Sequence, residues 1–134
     1  MKTYNKIWLH FVWSTKNRER LITNSLKFKL IHHIKEYGEK NDIRVDTING
    51  DMDHIHLLVK MKPIQSPSEI ANQLKGEPSN WINKMKFLET DFAWQSGFAV
   101  FSVSESFVNK IRQYIKNQEV HHRHVSYLEE LDNI

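Results

Sequence analysis

Asp53-His54-Ile55-His56-Leu57-Leu58-Val59 is the stretch on which the fold turns. Successive side chains of a strand point to opposite faces. His54 and His56 then share one face, while Ile55, Leu57 and Val59 share the other. Such a strand buries its apolar face and leaves a histidine pair facing outward, where two imidazoles can grip a metal ion. Just upstream, Ile43, Val45 and Thr47 alternate, so residues 42–48 read as a second strand. Asn49-Gly50 is a turn signal between the two. The pair is expected to form an antiparallel hairpin.

Working outward, residues 4–15 read as a strand with Ile7, Leu9, Phe11 and Trp13 on one face and Trp8, His10, Val12 and Ser14 on the other. Both sets carry large residues, which predicts a central strand with one face partly functional. Lys16-Asn17-Arg18-Glu19-Arg20 follows as a basic loop, either a solvated connection or a phosphate contact. Thr23, Asn24 and Ser25 offer N-caps for a helix whose buried stripe is Leu26, Leu30, Ile34 and Tyr37, ending at Gly38 or Asn41. His32 and His33 fall on that helix as surface or boundary residues. Ser66-Pro67-Ser68-Glu69 is a capping box with proline in the first turn. Ile70 and Leu74 are its buried residues; Pro78 is expected to break or restart it, with Trp81, Ile82 and Met85 on a second segment. Residues 92–97 read as an aromatic loop and residues 98–103 as a strand. Ser104 can cap a last helix with Phe107, Val108, Ile111 and Ile115 as its apolar stripe.

The order strand, helix, strand, strand, helix, strand, helix predicts an α+β fold: a four-stranded antiparallel sheet with helices on one face, ferredoxin-like or RRM-like. At 134 residues the chain suits one domain, residues 1–134, with no internal repeat or linker. It contains no cysteine, which removes disulfides and thiolate metal sites and fits a reducing cytoplasm. No stretch approaches the roughly 20 apolar residues of a membrane span. The formal charge of +3 permits nucleic acid without demanding it. The basic residues cluster at 16–20 and recur at Lys60, Lys62, Lys75, Lys84 and Lys86, while acidic residues gather at Glu129, Glu130 and Asp132.

Three groups can complete a site with His54 and His56: the other histidines, the carboxylates, or the last helix. On that helix Tyr114 and Gln118 are four residues apart, one turn along one face, flanking the apolar stripe. Two neutral imidazoles and an amide oxygen make a three-ligand site with open positions, suited to Mg²⁺ or Mn²⁺ when substrate and water add oxygens. Such an ion polarises a phosphoryl oxygen. A tyrosine hydroxyl, with a free pKa of about 10, is a poor nucleophile at neutral pH. Beside a metal-bound phosphate it can attack and form a phosphotyrosine, which keeps the bond energy for rejoining.

His54-Ile55-His56 resembles the HUH motif (histidine, bulky hydrophobic, histidine), and Tyr114-Ile115-Lys116-Asn117-Gln118 resembles the tyrosine-x-x-x-glutamine motif of single-tyrosine HUH transposases of the insertion-sequence 200/605 group. Leu74-Lys75-Gly76 and Trp94-Gln95 are similar to that group as well, so the likeness runs from the first strand to about residue 122. One departure is Pro78-Ser79, where the group often has two small polar residues. The resemblance implies an HUH endonuclease fold with His54, His56 and Gln118 holding a divalent metal and Tyr114 as nucleophile. It implies cleavage and rejoining of single-stranded DNA through a 5′-phosphotyrosine, recognition of hairpins near element ends, and a homodimer in which the tyrosine helix can complete the partner's site.

Lys16, Arg18, Arg20 and Lys75 are the candidate DNA contacts. Lys75 reads equally as a solvated helix end. His121-His122-Arg123-His124 reads as an exposed segment rather than a second metal site. Of Trp8, Trp13, Trp81 and Trp94, at most one is expected to stack on a base. Two other function classes make different demands of the sequence. A non-catalytic single-stranded nucleic-acid-binding module predicts exposed aromatics on the central strands, but the sequence lacks an RNP1 pattern. An HUH nuclease of the replication-initiator type is expected to be larger.

Overall fold

Four strands form one antiparallel sheet in the order β2-β3-β1-β4. The computed structural model describes residues 3–118. The strands are β1 (Ile7–Ser14), β2 (Arg44–Asp51), β3 (His54–Met61) and β4 (Ala99–Val103), and the helices are α1 (Asn24–Lys40), α2 (Pro67–Met85) and α3 (Val108–Lys116). β1 is central, as its two bulky faces require. It pairs with β3 in a register that sets Val12 against His56 and Ser14 against His54, and with β4 on its other side.

One face of the sheet carries Leu9, Phe11, Trp13, Ile55, Leu57 and Val59, packed under Leu26, Leu30 and Ile34 of α1 and Ile70, Ala71 and Leu74 of α2. Both helices start where the sequence signals. Thr23 Oγ1 accepts from Leu26 N at 3.3 Å and Ser66 Oγ from Glu69 N at 3.1 Å. A lost cap of this kind typically costs about 1 kcal/mol. α1 runs out at Asn41, as expected.

The opposite face is covered too. Trp8 and Leu58 pack with Val108 and Ile115 of α3, with Ile111 and Tyr114 at the edge. The sheet thus has α1 and α2 on one side and α3 on the other. His54 and His56 are fully buried rather than outward-facing, because α3 lies over them. Phe107, expected in the apolar stripe, is 53% exposed: a 3-10 turn at Glu105–Phe107 precedes α3 and turns it away. Ser104 Oγ meets Ser106 Oγ instead of capping the helix.

Three further local expectations are corrected. The hairpin turn lies at Met52-Asp53, and Asn49-Gly50 belongs to β2. Gly50 is there for space: a Cβ would sit 2.2 Å from His54 O and 2.8 Å from Ile55 Cα. The register of β2 shifts between Val45 and Thr47, so Val45 and Ile48 face the main core while Thr47 pairs with Leu58 on the histidine face. Such a bulge inserts one extra residue and re-aims its side chain. Finally, α2 continues through Pro78 as one helix. Proline removes the hydrogen bond to Leu74 O and crowds that carbonyl, but the carbonyls that follow it gain side-chain donors: Trp94 Nε1 bonds Lys75 O at 3.0 Å and Ser79 Oγ bonds Gly76 O at 3.0 Å. No helix among the described residues is long and apolar enough to cross a membrane.

Candidate active site

β3 presents His54 and His56 on the α3 side of the sheet, with ring centroids 5.1 Å apart. α3 is fixed over them by two polar ties. The bulge residue Asp46 accepts from Arg112 Nε at 2.7 Å and Nη2 at 2.9 Å. The Arg112 hydrogen bond holds the Asp46 carboxyl below its ordinary range, although burial pushes the other way. At the far end, Asn49 Nδ2 donates to Lys116 O at 3.0 Å, satisfying one terminal carbonyl of the helix.

This docking brings the four predicted residues together. The Tyr114 ring stands edge-on to His56 at 5.6 Å between centroids. Gln118, two residues beyond α3 and fully buried, has Oε1 3.4 Å from His54 Nε2. Its Nε2 donates to Tyr114 O at 3.1 Å, which fixes the amide so that the oxygen faces the histidine.

The orientation of each imidazole is set from behind. Asp53 Oδ1 lies 2.8 Å from His54 Nδ1, and a carboxylate can only accept, so Nδ1 carries the proton. In neutral His54 the Nε2 lone pair therefore points towards the Gln118 oxygen. Two lone pairs 3.4 Å apart repel unless a positive centre lies between them, a need that a divalent cation or a proton on Nε2 would meet. Asp53 Oδ2 is in turn 3.4 Å from Arg18 Nη2. On the other side, His56 Nδ1 lies 2.8 Å from Nε2 of buried His10. Among the described residues no three His, Cys, Asp or Glu side chains form a metal-binding group; the third polar group beside the two histidines is the Gln118 amide.

The DNA-contact candidates separate. Lys16, Arg18 and Arg20 are exposed on the turn after β1, beside the His54 end of the sheet. Arg18 and Asn17 have φ near +55° there. Lys75 is half-buried and its Nζ is committed: it donates to Gln95 O at 2.9 Å and Gly97 O at 2.7 Å, and partial burial lowers its pKa. All four tryptophans have structural contacts. Trp8 and Trp13 are buried, Trp81 stacks on His33 at 3.8 Å, and Trp94 is bonded to α2. The aromatics of the central strands are thus inside, against the expectation of an open base-stacking platform. His121-His122-Arg123-His124 lies outside the described residues.

His10 and Asp53 are the site residues that sequence reasoning missed. Asp53 adjoins the motif, and alternation alone placed His10 on the functional face of β1. Their contacts with the histidines depend on register and turn position, which alternation does not give.

A four-stranded antiparallel sheet with a His-hydrophobic-His pair on an inner strand, beneath a tyrosine-bearing last helix, defines an HUH-type protein. The chain belongs to the IS200-like transposase family, whose model matches residues 3–118. It is 24% identical over 114 residues to the ISDra2 transposase TnpA of Deinococcus radiodurans, covering 81% of each chain. It is 27% identical over 115 residues to the transposase for insertion sequence element IS200 of Salmonella typhimurium, covering 81% of this chain and 74% of that one. Two solved structures share the fold. One, assigned as a transposase from Deinococcus radiodurans R1, has a TM-score of 0.70 at 24% identity, covering 88% of this chain and 98% of that one. The other, a REP-associated tyrosine transposase bound to a REP hairpin, has a TM-score of 0.64 at 17% identity, covering 93% and 76%.

Proposed function

We propose that this transposase is one domain that cleaves and rejoins single-stranded DNA at the ends of an insertion element, with Tyr114 as nucleophile. The observation that carries the reading is the convergence of His54 Nε2 and Gln118 Oε1 beside Tyr114 and His56. His54, His56 and Gln118 would hold Mg²⁺ or Mn²⁺. When bound, the ion supplies positive charge to the non-bridging oxygens of the scissile phosphate.

The chain's own residues do the rest. Tyr114 Oη gives up its phenolic proton to water and attacks phosphorus in line, the bond from phosphorus to the 3′ oxygen breaks, and that oxygen takes a proton from water to leave as a 3′-hydroxyl. The 5′ phosphate remains on Tyr114. A 3′-hydroxyl then attacks the same phosphorus, the phosphotyrosine bond breaks, and the phenol is restored as the strand is resealed. The hydrogen bond from Gln118 Nε2 to the backbone carbonyl of Tyr114 ties the ligand to the helix that carries the nucleophile. Exposed Lys16, Arg18 and Arg20 offer phosphate contacts on the same side, and the committed Nζ of Lys75 makes it the weaker candidate.

A DNA hairpin is the proposed recognition element, supported by the hairpin-bound structural relative. A homodimer follows from the family resemblance. Since one chain already brings the four groups together, we assign each site to a single subunit.

The test is a labelled single-stranded oligonucleotide carrying a hairpin from beside the gene, incubated with Mg²⁺ or Mn²⁺. A covalent protein–DNA band is expected with the native chain and not with Tyr114→Phe or in EDTA. A band of equal strength in EDTA would remove the metal from the account.

A further inference from the structure

His10 is a buried titratable residue with no part in the chemistry above, and it touches two members of the site. It lies on β1 opposite Leu58, so His56, two residues along β3, is its diagonal neighbour on the same face. Its Nε2 is 2.8 Å from His56 Nδ1, with ring centroids 5.1 Å apart. It also meets the Tyr114 ring edge-on at 6.1 Å.

A hydrogen bond between two neutral imidazoles needs one donor and one acceptor. If His10 Nε2 donates, His56 accepts at Nδ1, carries its own proton on Nε2 and offers no lone pair to a metal. If His56 Nδ1 donates, His10 accepts at Nε2 and His56 keeps its Nε2 lone pair. Only the second arrangement lets His56 act as a ligand. Outer-shell partners of metal-binding histidines fix the tautomer in this way. Asp53 does so for His54 and cannot do otherwise, because a carboxylate only accepts.

We propose that His10 is a positioning residue: by accepting from His56 Nδ1 it holds His56 in the tautomer that presents Nε2 to the metal. The proposal rests on the metal site assigned under Proposed function.

Nitrogen-15 NMR of the metal-free native chain at mildly alkaline pH reads the tautomer without any substitution. The expected pattern has the His56 proton on Nδ1; a His56 protonated at Nε2 would overturn the proposal. Mn²⁺ titration then reads the consequence. His10→Phe keeps a ring against Tyr114 but removes the acceptor, and is expected to weaken Mn²⁺ binding about 10–100-fold. His10→Gln, whose amide oxygen can still accept, is expected to stay within a few-fold of native. Equal weakening in both variants would mean that the ring is needed only for packing. Native-like affinity in His10→Phe, with loss of binding in His56→Ala, would refute the positioning role and leave the metal site standing. Native-like affinity in His56→Ala would remove the metal site, and the proposal with it.

Discussion

Gln118 Oε1 lies 3.4 Å from His54 Nε2, joining positions 64 residues apart in the chain. Each atom is held in place by its own residue's second polar atom, Gln118 Nε2 on Tyr114 O and His54 Nδ1 on Asp53. Gln118→Ala is therefore expected to weaken Mn²⁺ binding by at least about tenfold, as is Asp53→Asn, whose amide can donate to Nδ1 and so invert the tautomer. Gln118→Glu keeps an oxygen at the site and adds charge, and should bind as tightly as native or tighter. Mn²⁺ titration followed by electron paramagnetic resonance distinguishes the three.

α3 owes its seat over the histidines partly to Asp46–Arg112. With 14% and 32% of the two side chains exposed, solvent screens the pair partly, and Asp46→Asn is expected to cost about 1–2 kcal/mol. Because the folded-state pKa of Asp46 is depressed, its contribution is complete above the unfolded carboxylate pKa. It is lost only as pH falls through the lower folded value. Urea unfolding should show the native chain outlasting Asp46→Asn at neutral pH, with the two converging in strong acid.

Gly50→Ala probes the hairpin. The added methyl meets backbone, His54 O and Ile55 Cα, and neither can move without shifting the histidine strand. A loss of about 2 kcal/mol or more is expected in urea unfolding, with weaker metal binding because His54 moves. Gly76→Ala, which meets nothing within 4 Å, is the control and should be neutral or slightly stabilising.

The proposed assembly of the site within one subunit makes a complementation prediction. Tyr114→Phe and His56→Ala chains, mixed under conditions that exchange subunits, should form no covalent DNA adduct, since neither subunit is whole. Recovered adduct would show that the tyrosine of one subunit serves the histidines of another.

Much of this was readable in the chain. Alternation in β1 and β3, the Thr23 and Ser66 caps and the four-residue Tyr114–Gln118 spacing placed the strands, two helices and the motif residues. What alternation cannot supply is cross-strand register, since every register of matching parity buries the same residues. The contact of His10 with His56 and the pairing of Gly50 with Ile55 both depend on it. The Asp46 bulge was hidden because Val45 and Thr47 look like one face until the extra residue is known. Pro78 misled because side-chain donors from Trp94 and Ser79, which periodicity does not show, support the carbonyls around it. Burial of the histidines followed from α3, whose apolar stripe is supplemented by ties through Arg112 and Asn49, polar residues that no apolar periodicity marks.

Tyr114 is the residue proposed to carry the DNA. The most direct measurement digests the covalent adduct with protease and nuclease and locates the phosphorylated residue by mass spectrometry. Phosphate is expected on Tyr114 alone among the chain's four tyrosines. Phosphate on Tyr4, Tyr37 or Tyr127, or on a residue other than tyrosine, would contradict it.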